Sequence, residues 1–254
     1  MSISNKEKAV ALLSSLGTDN QEPIGYINPN KYIQHNLSAP DGLAGFAELL
    51  QSLPPGSVSA KVVRAFEDGD YVFTHSEYEF FGPKVGFDIF RFEDGLIVEH
   101  WDNLQEITTE TASGRSQIDG PAEAADLDKT AENRAFAQSF VDDILINGQM
   151  DKITDFISTE TYHQHNPAVG DGLAAFGAAA QGMAEAGTPM VYTQNHMLMV
   201  QGNFALMVSE GQFLGNHSSF YDLIRIENGK IVEHWDAIET IPAKSEWKNN
   251  NGKF

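Results

Sequence analysis

The hexapeptide IVEHWD stands at Ile97–Asp102 and again at Ile231–Asp236. Side chains alternate along an extended strand, so Val98, His100 and Asp102 share one face while Ile97, Glu99 and Trp101 share the other. A turn at Glu93-Asp94-Gly95 joins this strand to the one before it. If the hairpin pairs positions equidistant from its turn, Asp88 faces Asp102 and Phe90 faces His100. One face then presents Asp88, His100 and Asp102 framed by Phe90, Phe92 and Val98. The second occurrence presents Asp222, His234 and Asp236 framed by Ile224, Ile226 and Val232. A carboxylate in an apolar concavity has its charged form destabilised and its pKa raised toward neutrality, the tuning a general base needs. An Asp and a His on adjacent strands equally serve as a buried hydrogen-bonded pair that fixes register. The residues leave both readings open for Asp88, His100 and Asp102 and for Asp222, His234 and Asp236.

Other chemistries find less support. His35, His100 and Asp102 could be assembled around an ion, but no HxH or HExxH spacing accompanies them, so neither metal nor cofactor is expected. There is no Gly-rich phosphate loop and no triad signature. Cysteine is absent, which removes disulfides, thiolate catalysis and cysteine-ligated metals together. A formal charge of −20 repels phosphate backbones and anionic headgroups, so neither nucleic acid nor membrane is an expected partner. The N-terminal MSISNKEKAVALLSSLG lacks the apolar run of a signal peptide, and no window approaches a membrane span. A cytoplasmic protein is the expectation.

The elements that must position these residues are themselves repeated. FDIFRFEDGLIVEHWDNLQEI (Phe87–Ile107) aligns without gaps on YDLIRIENGKIVEHWDAIETI (Tyr221–Ile241), identical at eleven of twenty-one positions. YIQHNLSAPDGLAGF (Tyr32–Phe46) matches YHQHNPAVGDGLAAF (Tyr162–Phe176) at nine of fifteen. A period of about 130 residues is a duplicated domain rather than a solenoid unit. The expected division is 1–110 for the first copy, 111–127 for a small, polar linker, and 128–254 for the second copy with its tail. In each copy apolar residues at helical spacing (Lys6–Leu16, Ala131–Ile146) are stopped by Gly17 or Gly148. The DGL segments open with Asp, a good N-cap residue, and continue in helix formers. Strand-period hairpins follow, and the Met cluster in HMLMVQGNFALMV reads as a buried strand pair. Helices first and an antiparallel meander after make an α+β domain, twice.

The order helix, helix, YIQHN, DGL-helix, then DIFR-x-EDG-x-IVEHWD resembles the SnoaL-like polyketide cyclase family of the wider nuclear transport factor 2-like fold. The tail IPAKSEWKNNNGKF also resembles C-termini of its bacterial members. The resemblance covers both halves and implies two tandem cone-shaped domains, each a curved antiparallel sheet wrapped around helices that close over a pocket. It gives the last-strand Asp, here Asp102 and Asp236, the acid/base role, and Asp88 and Asp222 a place in the pocket lining. It places the QHN block near the pocket mouth, so Tyr32, His35 and Asn36, with Tyr162, His165 and Asn166, become expected substrate contacts. His75 and His196 occupy two places where family members often carry histidine. Positions 63 and 75 are near-opposite across their hairpin, so each copy keeps one His of a facing pair and the two pockets are expected to differ. The fold also hosts epoxide hydrolases with an Asp-Arg-Asp set, but Asp88 and Arg91 lie three apart on one strand and point to opposite faces. Arg91 and Arg225 read instead as surface or interface charges.

Because the fold hosts many functions, two classes stay open. One is a cofactor-free enzyme doing an aldol cyclisation or isomerisation on a small carbonyl compound. The other is a non-catalytic small-molecule binding or interaction module. Single domains of this fold usually dimerise through the open sheet face, so the fused halves are expected to form an intramolecular pseudo-dimer through the face of Trp101 and Trp235, with a further homo-oligomer open.

Overall fold

The turns joining the last two strands of each copy need backbone that few residues adopt. Asp94 (φ 48°) with Gly95 (φ 76°), and Asn228 (φ 51°) with Gly229 (φ 69°), supply the two positive-φ positions of a tight hairpin turn. The computed structural model that shows this describes residues 3–54 and 56–254. No helix among them is long and apolar enough to cross a membrane. The chain divides into two units, Met1–Glu106 with Pro242–Phe254, and Ile107–Ile241.

The first unit runs α1 (Asn5–Ser14), β1 (Ile33–Gln34), α2 (Gly42–Ser52), β2 (Val58–Asp68), β3 (Tyr71–Phe80), β4 (Pro83–Glu93) and β5 (Leu96–Glu106). The second repeats it with α3 (Thr130–Phe140), α4 (Ile153–Phe156), β6 (His163–Gln164), α5 (Leu173–Glu185), β7 (Val191–Gln201), β8 (Phe204–Phe213), β9 (Asn216–Glu227) and β10 (Lys230–Thr240). The sheets are ordered β1-β5-β4-β3-β2 and β6-β10-β9-β8-β7. All neighbours are antiparallel except the short first strand, which lies parallel to the last one. The helix expected over Ala131–Ile146 is α3 up to Phe140 and widens into a π-helical turn over Val141–Ile146.

One face of each sheet packs on the helices. Leu12, Leu13, Tyr32, Val72, Phe90, Phe92 and Ile97 are among the buried residues of the first core. Phe140, Ile144, Tyr162, Met207, Ile224, Ile226 and Ile231 are among those of the second. Met199 and Met207 are buried, as expected of a strand pair. The hairpin register is the expected one, with Asp88 opposite Asp102 and Phe90 opposite His100. It slips by one residue between Arg91 and Phe92, which pairs Phe92 with Ile97. A one-residue bulge reverses the faces beyond it. Ile97 and Ile231 therefore join Phe92 and Ile226 in the cores, where Val98 and Val232 were expected.

Two further expectations are corrected. Residues 111–127 are part of the second unit, and the tail assigned to the second copy belongs to the first. Backbone hydrogen bonds show why: Ala112 N–H donates to Pro167 O (2.9 Å), Asn203 N–H to Ala125 O (2.9 Å), and Lys248 N–H to Leu37 O (2.8 Å). The Asp residues of the DGL segments do not cap their helices. Asp41 accepts from Gln34 N–H (3.0 Å) and Asn251 Nδ2 (2.7 Å), and Asp171 from Gln164 N–H (2.9 Å) and Arg115. The backbone N–H of the short first strand takes the carboxylate instead.

A close approach at Gly211 gives the fold a test. A Cβ there would lie 1.8 Å from the backbone oxygen of Val191, so the strand pair must shift to admit it. Gly211→Ala is expected to destabilise the protein by about 1–3 kcal/mol, read as a lower urea midpoint.

Candidate functional site

In the second unit the parallel pairing of β6 with β10 sets Gln164 beside His234. Asn166 N–H donates to Gln164 Oε1 (2.9 Å), which marks that atom as the amide oxygen. His234 Nδ1 lies 2.8 Å from the same oxygen and therefore donates to it. Its Nε2 is 2.9 Å from Asp222 Oδ1. Both ring nitrogens face acceptors, an arrangement that suits the imidazolium. Burial pushes the His234 pKa down, but the bond to Asp222 and the charges of Asp236 and Asp222 outweigh it, and the net shift is upward.

Asp236 stands opposite Asp222 on the neighbouring strand, and both are buried. Its Oδ2 accepts from Asn166 Nδ2 (2.6 Å), while Oδ1 is buried without a hydrogen-bond partner. Burial raises the Asp236 pKa to about 6; the His234 charge opposes that shift and the Asp222 charge adds to it. The Tyr192 hydroxyl, 3.2 Å from Asp222 Oδ2, closes the group, its own pKa raised well above the ordinary value by burial and then by Asp222.

The first unit repeats the geometry. Asn36 N–H donates to Gln34 Oε1 (2.8 Å), His100 Nδ1 lies 3.0 Å from that oxygen, and His100 Nε2 is 3.1 Å from Asp88 Oδ1. Asn36 Nδ2 donates to Asp102 Oδ2 (2.6 Å). The phenol on the first Asp comes from the opposite strand, with Tyr78 OH 2.5 Å from Asp88 Oδ2. Tyr78 sits across from Ala60, whereas Tyr192 sits across from Gly211. One cross-strand pair thus carries the ring on either side. Phe90 stacks on His100 at 4.8 Å, where the second unit has Ile224 opposite His234.

Tyr32 and Tyr162 also reach this side, each hydroxyl accepting from the neighbouring Gln Nε2 (3.5 and 3.4 Å). The remaining histidines do not. His35 stacks on Trp101 (4.6 Å) and bonds Glu99 (3.0 Å); His165 stacks on Trp235 (4.7 Å) and bonds Glu233 (2.9 Å). They lie on the opposite face of β5 and β10, so substrate contact by His35 or His165 and a His35-His100-Asp102 set are not what the geometry builds. Arg91 and Arg225 hold the same Glu99 and Glu233, and Arg225 is largely buried rather than a loose surface charge. His75 stacks on Phe87 (4.2 Å) and lies 3.1 Å from Arg64, which a bulge after Val62 has put opposite it in place of Val63. His196 bonds Glu210 (2.9 Å), shared with His217 (2.7 Å).

Ligand atoms of Asp88, His100 and Asp102, and of Asp222, His234 and Asp236, converge within 4.8 Å of one another. That spacing would admit a cation, but His234 would have to give up one of its two ring hydrogen bonds to ligate it. Gln34, Gln164, Tyr78 and Tyr192 escaped the sequence reading. The repeated Q of QHN was a visible signal; the tyrosines gave none, because they differ between copies. A cavity of about 310 Å³ in the first unit is lined by Leu12, Leu16, Ile24, Phe46, Leu50 and Val58 among others. It stops one ring short of the cluster, at Phe46, which packs edge-on to Tyr32.

A raised carboxylate has a stability signature. The unfolded-state pKa of Asp is about 3.9, so Asp236 contributes stability below about pH 4 that is lost as pH rises through about 6. The full swing is about 3 kcal/mol. Asp236→Asn keeps an oxygen for Asn166 and is expected to flatten the fall in stability between these limits, as measured by urea denaturation across pH.

No protein-family profile and no curated protein matches the sequence. Solved structures do match. A protein with a cystatin-like fold from Xanthomonas campestris is 24% identical, covering 45% of this chain and 97% of its own, with a TM-score of 0.37. A nuclear transport factor 2-like protein from Cytophaga hutchinsonii is 14% identical, over 41% of this chain and 93% of its own, TM-score 0.36. A protein assigned as a SnoaL-like polyketide cyclase, from Jannaschia sp. CCS1, is 16% identical, over 41% and 91%, TM-score 0.35. Each covers less than half of this chain, and the likeness concerns fold alone. The chain is a duplicated pair of α+β units, each a five-stranded sheet with its helices.

Proposed function

We propose that the protein is a cofactor-independent enzyme that moves a proton next to the carbonyl group of a small molecule. The base is the carboxylate on the inner face of the last strand, Asp236 in the second copy, with Asp102 at the matching place in the first. The supporting observation is the state of Asp236: buried, raised to about pH 6, and with Oδ1 free of hydrogen bonds. Such a carboxylate is ionised at neutral pH yet basic enough to take a proton from carbon. Oδ1 takes the α-proton, the C–H electron pair forms the enolate double bond, and the carbonyl π pair moves onto oxygen. Return of the proton to a different carbon gives an isomer; attack of the enolate carbon on a second carbonyl closes a ring. His234 and His100, held by Gln164 and Gln34, keep the facing Asp222 and Asp88 paired. Tyr32, Asn36, Tyr162 and Asn166 belong to the lining of this site, and a neutral carbonyl compound is the class of ligand.

A second reading, a binding module without catalysis, is favoured by one observation in the first copy. Phe90 covers His100 there, and the neighbouring cavity does not reach the cluster.

Deuterium exchange into a panel of cyclic and polycyclic ketones tests the first reading. The native protein is expected to catalyse exchange with a rate that rises through about pH 6. Asp236→Asn, Asp102→Asn or the double variant is expected to lose about 100-fold or more, according to which copy works. No exchange with any ketone, from protein that melts normally, moves the conclusion to the binding module.

A further inference from the structure

Each unit is bound along its first strand by a strap of matching design. In the first unit the strap is the C-terminal tail: Lys248 N–H donates to Leu37 O (2.8 Å), and Gly252 O lies 3.0 Å from His35 Nδ1. In the second it is the segment after β5: Ala112 N–H donates to Pro167 O (2.9 Å), and Ser116 O lies 2.5 Å from His165 Nδ1. The residue after the histidine contact is therefore equivalent in the two straps. It is Lys253 in one and Gln117 in the other, and both are buried.

Lys253 Nζ donates to the backbone oxygen of Asp102 (2.8 Å) and stands 4.0 Å from Asp102 Oδ1. Oδ1 is the oxygen that Asn36 leaves untouched. The matching oxygen of Asp236 is buried and has no hydrogen-bond partner. Two facing aspartates share each site with one histidine. In the first copy a lysine adds a positive charge, and the second copy carries at the same strap position the neutral Gln117, whose Oε1 accepts from Thr108 N–H (2.9 Å). A buried charge without compensation is costly, whereas the same charge beside an ammonium is held. The aromatic cover of Phe90 on His100, against Ile224 on His234, differs in the same sense.

We infer that Lys253 neutralises the first copy's carboxylate, and that the second copy, with Gln117 in its strap, presents the working base. The assignment of work to the second copy rests on the acid/base reading; the neutralisation by Lys253 does not. Lys253 is a positioning residue, acting on Asp102 and not on substrate.

Calorimetry of the full chain near pH 8 and the ketone exchange assay test the inference together. Asp236→Asn is expected to raise Tm, because it removes an uncompensated buried charge. Asp102→Asn is expected to lower it, because Lys253 keeps its bond to the backbone oxygen but loses the opposite charge beside it, and the loss should vanish in a Lys253→Gln background. In the exchange assay Gln117→Lys should cost about tenfold or more. Adding Lys253→Gln to Asp236→Asn should restore about tenfold or more over Asp236→Asn alone. Tm shifts of the same sign for the two Asp variants, with no coupling between Asp102 and Lys253, would overturn the inference. So would exchange that is lost with Asp102→Asn and kept with Asp236→Asn. The expected Tm pattern without exchange on any ketone keeps the neutralisation and removes the acid/base reading. If Gln117→Lys shows no cooperative melting, the Asp102–Lys253 cycle alone decides.

Discussion

The hydrogen bond from a backbone N–H to a glutamine side-chain oxygen, Asn166 to Gln164 and Asn36 to Gln34, governs the rest of both sites. It turns an amide that could point either way into a fixed acceptor. The histidine on the adjacent strand must then donate through Nδ1, which aims Nε2 at the facing aspartate. A two-residue parallel strand is enough to set this up, since it pairs Gln with the His of the last strand. The same short strand explains why Asp41 and Asp171 abandon their helix N-termini: its N–H groups need an acceptor too.

The last strand of each copy carries charge on both faces. On the inner face its aspartate and histidine meet a second aspartate from the neighbouring strand. The outer face holds a glutamate between an arginine and a histidine that stacks on tryptophan. The outer set is closed on itself, with one carboxylate oxygen of Glu233 bonded to His165 and the other to Arg225. The inner set is closed only as far as the Asp222–His234 pair, and Asp236 lies beyond it. Burial is the main reason that the pKa of Asp236 is raised, and the facing charge of Asp222 adds to it. That contrast separates framework histidines from site histidines more cleanly than residue type does.

Duplication has let the two inner sites drift while their frame stayed the same. The Gln-His-Asp geometry is reproduced to within a few tenths of an ångström, because one misplaced donor would orphan a buried carboxylate. The phenol beside the first aspartate can come from either of two facing positions, because only its hydroxyl has to arrive. Chemical roles that depend on position are retained, and those that depend only on reach are free to move.

The fold and the inner face were legible in the sequence for a local reason. Strand alternation and a two-residue turn together specify which residues oppose which, so Asp88, His100 and Asp102 follow from counting outward from Gly95, as do Asp222, His234 and Asp236 from Gly229. The count fails where the backbone gains a residue. The bulges after Arg91 and Val62 exchanged Ile97 for Val98 in the core and brought Arg64, not Val63, against His75. The side taken by His35 and His165 was hidden as well, because it depends on a tryptophan sixty or more residues away. Least legible was the destination of the straps: 111–127 reads as a linker by composition, and only its backbone hydrogen bonds make it part of the second unit. Repetition and alternation are properties of the chain itself, so the sequence alone determined the duplication, the α+β class and the inner acid-histidine face. Which charges are compensated is decided by segments brought from far along the chain, so only the tertiary structure could set Lys253 beside Asp102 and leave Asp236 with no counterpart.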